Sequence, residues 1–184
     1  MSLQTWQETL ASAQVDGGVL SASVAQTTLL PPTALVTLAP NYLLIGRTLR
    51  ITASGRMSTV VTTPGTFTFF VKIGSVNVAT SPAFALQTTA QTNDTWRLEW
   101  LLTTRAIGSG TNANIMHTGY WCSLAAAGST SPNAITLLIP LTAPAVGTGF
   151  DSTISNIVDF QGQWSVNNAA NSITLHQYTL EAMN

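Results

Sequence analysis

From residue 49 the chain reads Leu-Arg-Ile-Thr-Ala-Ser-Gly-Arg-Met, apolar and polar in alternation, a period of two that admits a half-buried β-strand and little else. Leu49, Ile51, Ala53 and Met57 are expected inside, Arg50 and Arg56 outside, with Gly55 a candidate bulge. After the Thr63-Pro64-Gly65 turn the pattern returns: Phe67, Phe69, Val71 and Ile73 line one face, and Thr68, Phe70 and Lys72 the other. Phe70 interrupts a polar face, so it is expected to be covered by the N-terminal arm or to form part of a subunit contact. A short strand is expected at Phe84 to Thr88, then a turn at Asn93-Asp94. Trp96, Leu98, Trp100 and Leu102 share the next inward face, which puts two tryptophans of one strand in the core.

The strand rhythm continues to the C-terminus. Ile115 to Ala126 places Met116, Thr118, Tyr120 and Cys122 on one face and His117, Gly119 and Trp121 on the other. Ile135 to Leu141 forms a short apolar strand. Ile154, Val158, Phe160 and Trp164 run in even steps, as do Ile173, Leu175, Gln177 and Thr179, and these two strands are expected to pair as a hairpin. About eight antiparallel strands with turn signals between them predict an all-β, jelly-roll-like sandwich, with an up-and-down barrel as the alternative. The N-terminus reads differently. Leu3, Trp6, Leu10 and Ala13 recur at steps of three and four, which predicts a short amphipathic helix ended by Asp16-Gly17-Gly18. Leu29-Leu30-Pro31-Pro32 cannot sit in a central strand. Residues 1–32 are therefore expected to form a helix and extended arm, and residues 33–184 the sandwich.

Charge then limits the function. Only 7% of the 184 residues are charged, against roughly a quarter in an ordinary soluble domain, while 45% are hydrophobic. The basic residues are scattered, so no stripe exists to neutralise a phosphate backbone, and nucleic acid is not an expected partner. No apolar run approaches the roughly 20 residues of a bilayer helix. A membrane partner is not expected either. The start of the chain lacks the basic and apolar regions of a secretory signal, so synthesis in a cytoplasm is expected. The single Cys122, beside Trp121, is expected to be a buried thiol without a disulfide.

Catalytic chemistry finds no anchor in these residues. His117 and His176 lie on different strands without a carboxylate or second histidine at ligand spacing, so no metal and no cofactor are expected. Asp151 and Asp159 stand too far apart along a strand for a glycosidase pair. Cys122 and Ser123 lack a nucleophile motif, and Gly108-Ser109-Gly110 lies between strands and is a turn, not a phosphate cradle. Trp6, Trp121 and Tyr178 are the aromatic candidates for stacking on a sugar, with core or interface packing the plainer reading. The chain is expected not to be an enzyme. Thr-rich strands with few charges on their edges call for assembly, because a free monomer would risk edge-to-edge association.

Several segments resemble small structural proteins of tailed-bacteriophage virions. They are Gly46-Arg47-Thr48-Leu49-Arg50-Ile51-Thr52-Ala53-Ser54-Gly55-Arg56, Gly65-Thr66-Phe67-Thr68-Phe69, Trp96-Arg97-Leu98-Glu99-Trp100 with Gly108-Ser109-Gly110, and the ending from Asn171 to Glu181. The likeness is to jelly-roll capsid decoration, or cement, proteins. It implies a non-enzymatic protein on the capsid surface of a virion, bound to itself as a homo-oligomer, commonly a trimer, and to the major capsid protein. A receptor- or glycan-binding module of a tail or head fibre is the alternative. An arm that clamps a neighbour would make Trp6 and Leu10 contact residues, with Phe70 a further candidate.

Overall fold

The computed structural model of the chain describes residues 7–183. It holds thirteen strands: β1 (Gln7–Ser12), β2 (Leu20–Ser21), β3 (Thr27–Thr28), β4 (Val36–Leu38), β5 (Thr48–Thr59), β6 (Thr66–Ile73), β7 (Val76–Thr80), β8 (Phe84–Ala85), β9 (Gln91–Ala106), β10 (Asn114–Ser123), β11 (Ile135–Ile139), β12 (Asn156–Trp164) and β13 (Ser172–Met183). Apart from a 3-10 turn at Pro32–Ala34, no helix occurs among the described residues. One sheet runs β1, β13, β5, β9, β10, β11, with β2 beside β1 on β13; the other runs β3, β12, β6, β7, with β4 also on β12 and β8 also on β6. All pairings are antiparallel.

Both β5 to β6 and β12 to β13 step from one sheet to the other, and the strands pair crosswise, β5 with β13 and β6 with β12. Folding a long hairpin over itself in this way makes the architecture a jelly-roll-like sandwich. The last two strands are therefore not the expected hairpin. Their connection, from Ser165 to Asn171, crosses between the sheets.

Alternation delivers the core as the sequence predicts. Leu49, Ile51, Ala53 and Met57 from β5 and Trp96, Leu98, Trp100 and Leu102 from β9 are all buried against Phe67, Phe69, Val71 and Ile73 of β6. Phe69 is the hub of the aromatic packing. Its ring stacks on Phe160 at 5.5 Å and meets Phe67 at 4.8 Å, Trp96 at 5.6 Å and Trp121 at 6.0 Å. Edge and offset contacts of this kind add to the area the rings bury.

Three expectations fail for one physical reason, an extra residue in a strand. Leu10 is extra in β1, between Thr9 and Ala11 in the register with β13, so apolar residues at helical spacing belong to a bulged strand. The expected N-terminal helix is thus a strand from Gln7 onward, and its first residues, Leu3 to Trp6, lie outside the described residues. A single short helix is marginal, whereas the edge of β13 supplies partners. His176 is extra in β13, where Leu175 pairs with Gly55 but Gln177 pairs with Ser54. The inward set therefore changes from Ile173 and Leu175 to Tyr178, Leu180 and Ala182, and Gln177 and Thr179 point out. The bulge expected at Gly55 lies across from it on β13. At Asn93, φ is 54°, and the expected turn is a bulge inside β9, which continues through it.

The arm is woven into the sandwich. Ala13 N–H donates to Tyr178 O and Gly17 N–H to Leu175 O, both at 2.9 Å, and Leu29 N–H donates to Phe160 O at 2.9 Å. Leu20, Leu29 and Leu30 are core residues, and Trp164 Nε1 donates to Leu20 O at 3.1 Å. Residues 7–32 do not form a free projection.

Candidate functional site

The outer face of the larger sheet is the broadest continuous surface that the fold sets in fixed register. One row across it reads Thr179, Thr52, Glu99, Tyr120, Leu138, and the next reads Gln177, Ser54, Arg97, Cys122, Thr136. Hydroxyl and amide groups dominate, as the low charge content requires. One ion pair crosses the face: Arg50 reaches Glu181 with Nη2 at 2.6 Å and Nε at 2.8 Å, and Gln7 also donates to that carboxylate. Tyr120 OH donates to Glu99 Oε2 at 3.2 Å. Desolvation first, then the Glu99 carboxylate, push the Tyr120 phenol above its ordinary range. A shallow concavity of about 560 Å³ opens on this face beside Ser12, Thr52, Ser54, Arg97, Gln177 and Thr179.

The residues singled out for chemistry do not converge. His117 is buried between the sheets and accepts a hydrogen bond at Nδ1 from Trp100 Nε1, 3.2 Å away. His176 sits at the β13 bulge with Nδ1 2.8 Å from Asp16 Oδ1. Asp151 binds its own loop, accepting from Thr153 Oγ1 at 2.6 Å, Thr153 N–H at 2.8 Å and Gly110 N–H at 2.8 Å; these bonds, led by the Thr153 hydroxyl, hold its carboxyl below the ordinary value. Gly110 is thereby a loop residue engaged with a carboxylate. Asp159 accepts from Thr28 Oγ1 at 2.6 Å and Gln161 Nε2 at 2.5 Å. Cys122 is half-buried on the outer face, not the buried thiol its neighbour Trp121 suggested, because strand alternation sends the two side chains opposite ways. Among the described residues, no three His, Cys, Asp or Glu side chains gather as a metal site.

The aromatic sugar candidates separate as well. Trp121 and Tyr178 are buried in the core, and Tyr178 stacks on Phe160 at 6.1 Å, so neither presents a face to solvent. Of the contact candidates, Trp6 lies outside the described residues. Leu10, at the β1 bulge, is half-buried and packs against the core. Phe70 is 9% exposed. Gln26 hydrogen-bonds to Gln161 on β12 at 2.5 Å and to Asn77 on β7 at 2.9 Å, so its side chain crosses β6, the strand between them, beside Phe70.

Two features escaped the sequence reading. At one end of the sandwich, Gly46 N–H bonds Thr104 O, Ser152 N–H bonds Gly108 O and Asn41 N–H bonds Ser152 O. The loops so joined carry the exposed side chains of Leu44, Ile45, Ile107 and Ile154. The second feature concerns the sheet edges. From Ala106 to Phe150 the chain contains no Asp, Glu, Lys or Arg, and this stretch forms β10 and the terminal strand β11. A count of charge by segment would have found it.

No family model matches the chain, and no curated protein matches it. Among solved structures, winged bean acidic lectin complexed with methyl-alpha-D-galactose is similar over 98% of this chain and 99% of its own, at 7% identity and a TM-score of 0.29. That likeness is too slight to bear on function. What the fold defines is an antiparallel β-sandwich of jelly-roll type.

Proposed function

We propose that the chain is a non-enzymatic structural protein of a bacteriophage virion, which decorates and stabilises the capsid as a homo-oligomer bound to the major capsid protein. The observation that carries this reading is the surface. A β-sandwich that shows solvent mainly hydroxyl and amide groups, leaves aliphatic side chains exposed at one end and has a long uncharged stretch at a sheet edge is suited to assembly more than to life as a free monomer. Three of its carboxylates are engaged in local structure: Glu181 with Arg50, Asp151 with its loop, Glu99 with Tyr120. The resemblance of the segments around Arg47, Phe67, Trp96 and Ile173 supplies the virion. Neutral contacts of this kind depend little on ionic strength, which suits a particle outside a cell.

The concavity beside Arg97 and Gln177 favours a second reading, a glycan-binding module of a tail or head fibre. Its lining offers hydrogen bonds, but the ring of Tyr178 at its floor is buried. Quantifying the protein in purified virions separates the two. A decoration protein is present in many copies spread over the shell, and a fibre module in few.

A further inference from the structure

The sandwich has four lateral edges, and three of them are managed. β1 carries Glu8, a charge at the edge. β3 and β4 are two and three residues long. The edge of β7 is covered by the segment around Gly147, which lies so close that a Cβ there would stand 1.8 Å from Val78 O. Short length, charge and cover are the usual protections against strand addition. The strand β11, Ile-Thr-Leu-Leu-Ile, has none of them: it ends its sheet, bears no charge and exposes Thr136 and Leu138, the latter at 62%.

The register shows which backbone groups the edge presents. Gly147 N–H donates to Ile115 O at 2.7 Å from the side of β10 on which β11 also lies. Odd-numbered residues of β10 therefore direct their backbone groups toward β11. The hydrogen-bonded pairs are Gly119 with Ile139, Trp121 with Leu137 and Ser123 with Ile135. The N–H and C=O groups of Thr136 and Leu138 then face outward, with no described strand to receive them.

We propose that β11 pairs antiparallel with β11 of a second copy of this chain, about a two-fold axis through Leu137. In that register Thr136 of each copy exchanges N–H···O=C bonds with Leu138 of the other, and Leu137 meets its own counterpart. Ile135 stands opposite Ile139. Two features favour a second copy as occupant. The edge is complementary to itself: every facing pair is aliphatic or Thr with Leu, and outward donors meet outward acceptors. The neutrality of the chain from Ala106 to Phe150 also means that two copies bring no like charges together. Pro140, without an N–H, closes the ladder just beyond Ile139. Such a contact is isologous and joins copies in pairs, extending the larger sheet across both. It stands apart from the virion reading, since a chain can pair and yet ignore capsids.

The test is sedimentation velocity of the full chain over a concentration series, with three variants. Thr136→Pro deletes an outward N–H while leaving the bonds to β10, and Leu138→Lys places a charge on the edge at an exposed side chain. Val61→Lys alters an exposed aliphatic residue elsewhere. The expected result is a dimer for the wild type and Val61→Lys, and at least a roughly tenfold weaker dimer for both β11 variants, with circular dichroism unchanged in Leu138→Lys. A wild-type monomer throughout the series overturns the proposal. So does an oligomer that both β11 variants leave intact.

Discussion

Trp100 and His117 are joined in the core: the indole Nε1 donates to imidazole Nδ1 at 3.2 Å, with the rings edge to face at 5.5 Å between centroids. The bond requires Nδ1 to be unprotonated, so the histidine is held neutral, and burial lowers its pKa from 6.5. A base with a lowered folded pKa binds its proton more readily in the unfolded chain. Stability contributed by the neutral ring is therefore complete above pH 6.5 and is lost as pH falls from there through the folded pKa. His117→Gln, which keeps an acceptor for Trp100, is expected to remove this acid-side loss. Urea unfolding from neutral pH down to mildly acidic pH measures the difference in slope.

Gly55 faces Thr174 so closely that a Cβ would stand 1.9 Å from the Thr174 carbonyl oxygen, and that neighbour is backbone in a paired strand. Gly55→Ala must push β5 and β13 apart next to the His176 bulge. A loss of about 2–4 kcal/mol is expected, read from denaturant midpoints, whereas Ser54→Ala on the exposed face changes stability by less than about 0.5 kcal/mol.

Asn171 is fully buried and ties two turns together, donating from Nδ2 to Pro64 O at 2.9 Å and accepting at Oδ1 from Val60 N–H at 2.8 Å. Asn171→Leu leaves both backbone groups without partners. The expected cost is about 2 kcal/mol or more, with faster hydrogen exchange at the Val60 amide.

Deleting residues 1–18 removes β1 and uncovers the edge of β13, which now bonds Ala13 and Gly17 as well. The shortened chain is expected to melt at lower temperature and to associate at concentrations where the full chain does not, since an open strand edge invites pairing. Calorimetry and light scattering check the two effects. Because the segment is part of the sheet, loss of capsid attachment on deletion would not by itself identify a clamping arm.

Strands whose alternation runs unbroken were readable residue by residue, as in Leu49 to Met57, Phe67 to Ile73 and Trp96 to Leu102. The failures cluster where the period breaks. One extra residue at Leu10, Asn93 or His176 reverses the faces beyond it, and nothing in composition marks such a residue. Pairing partners were hidden for a different reason: the connection between Trp164 and Ser172 suits a hairpin and a crossing alike, and only the packing of both sheets decides. Phe70 stands out in the sequence as an apolar residue on a polar face, while Gln26, which bonds the strands on either side of β6, comes from a segment with no pattern of its own. The uncharged edge was visible all along as a gap between Arg105 and Asp151.

Under the proposed capsid role, the exposed aliphatic residues at the end of the sandwich are the surface expected to meet the shell. Ile45 is 67% exposed, so Ile45→Lys is expected to leave folding unchanged and to weaken binding to a capsid by about tenfold or more. The measurement is competition against the wild type for a fixed number of heads.

The most direct test of the virion role is co-sedimentation of the purified chain with heads that lack it, followed by counting bound copies. Saturable binding in many copies per head, unaffected by salt, is the predicted result. Heads that sediment without the protein at any concentration would contradict it.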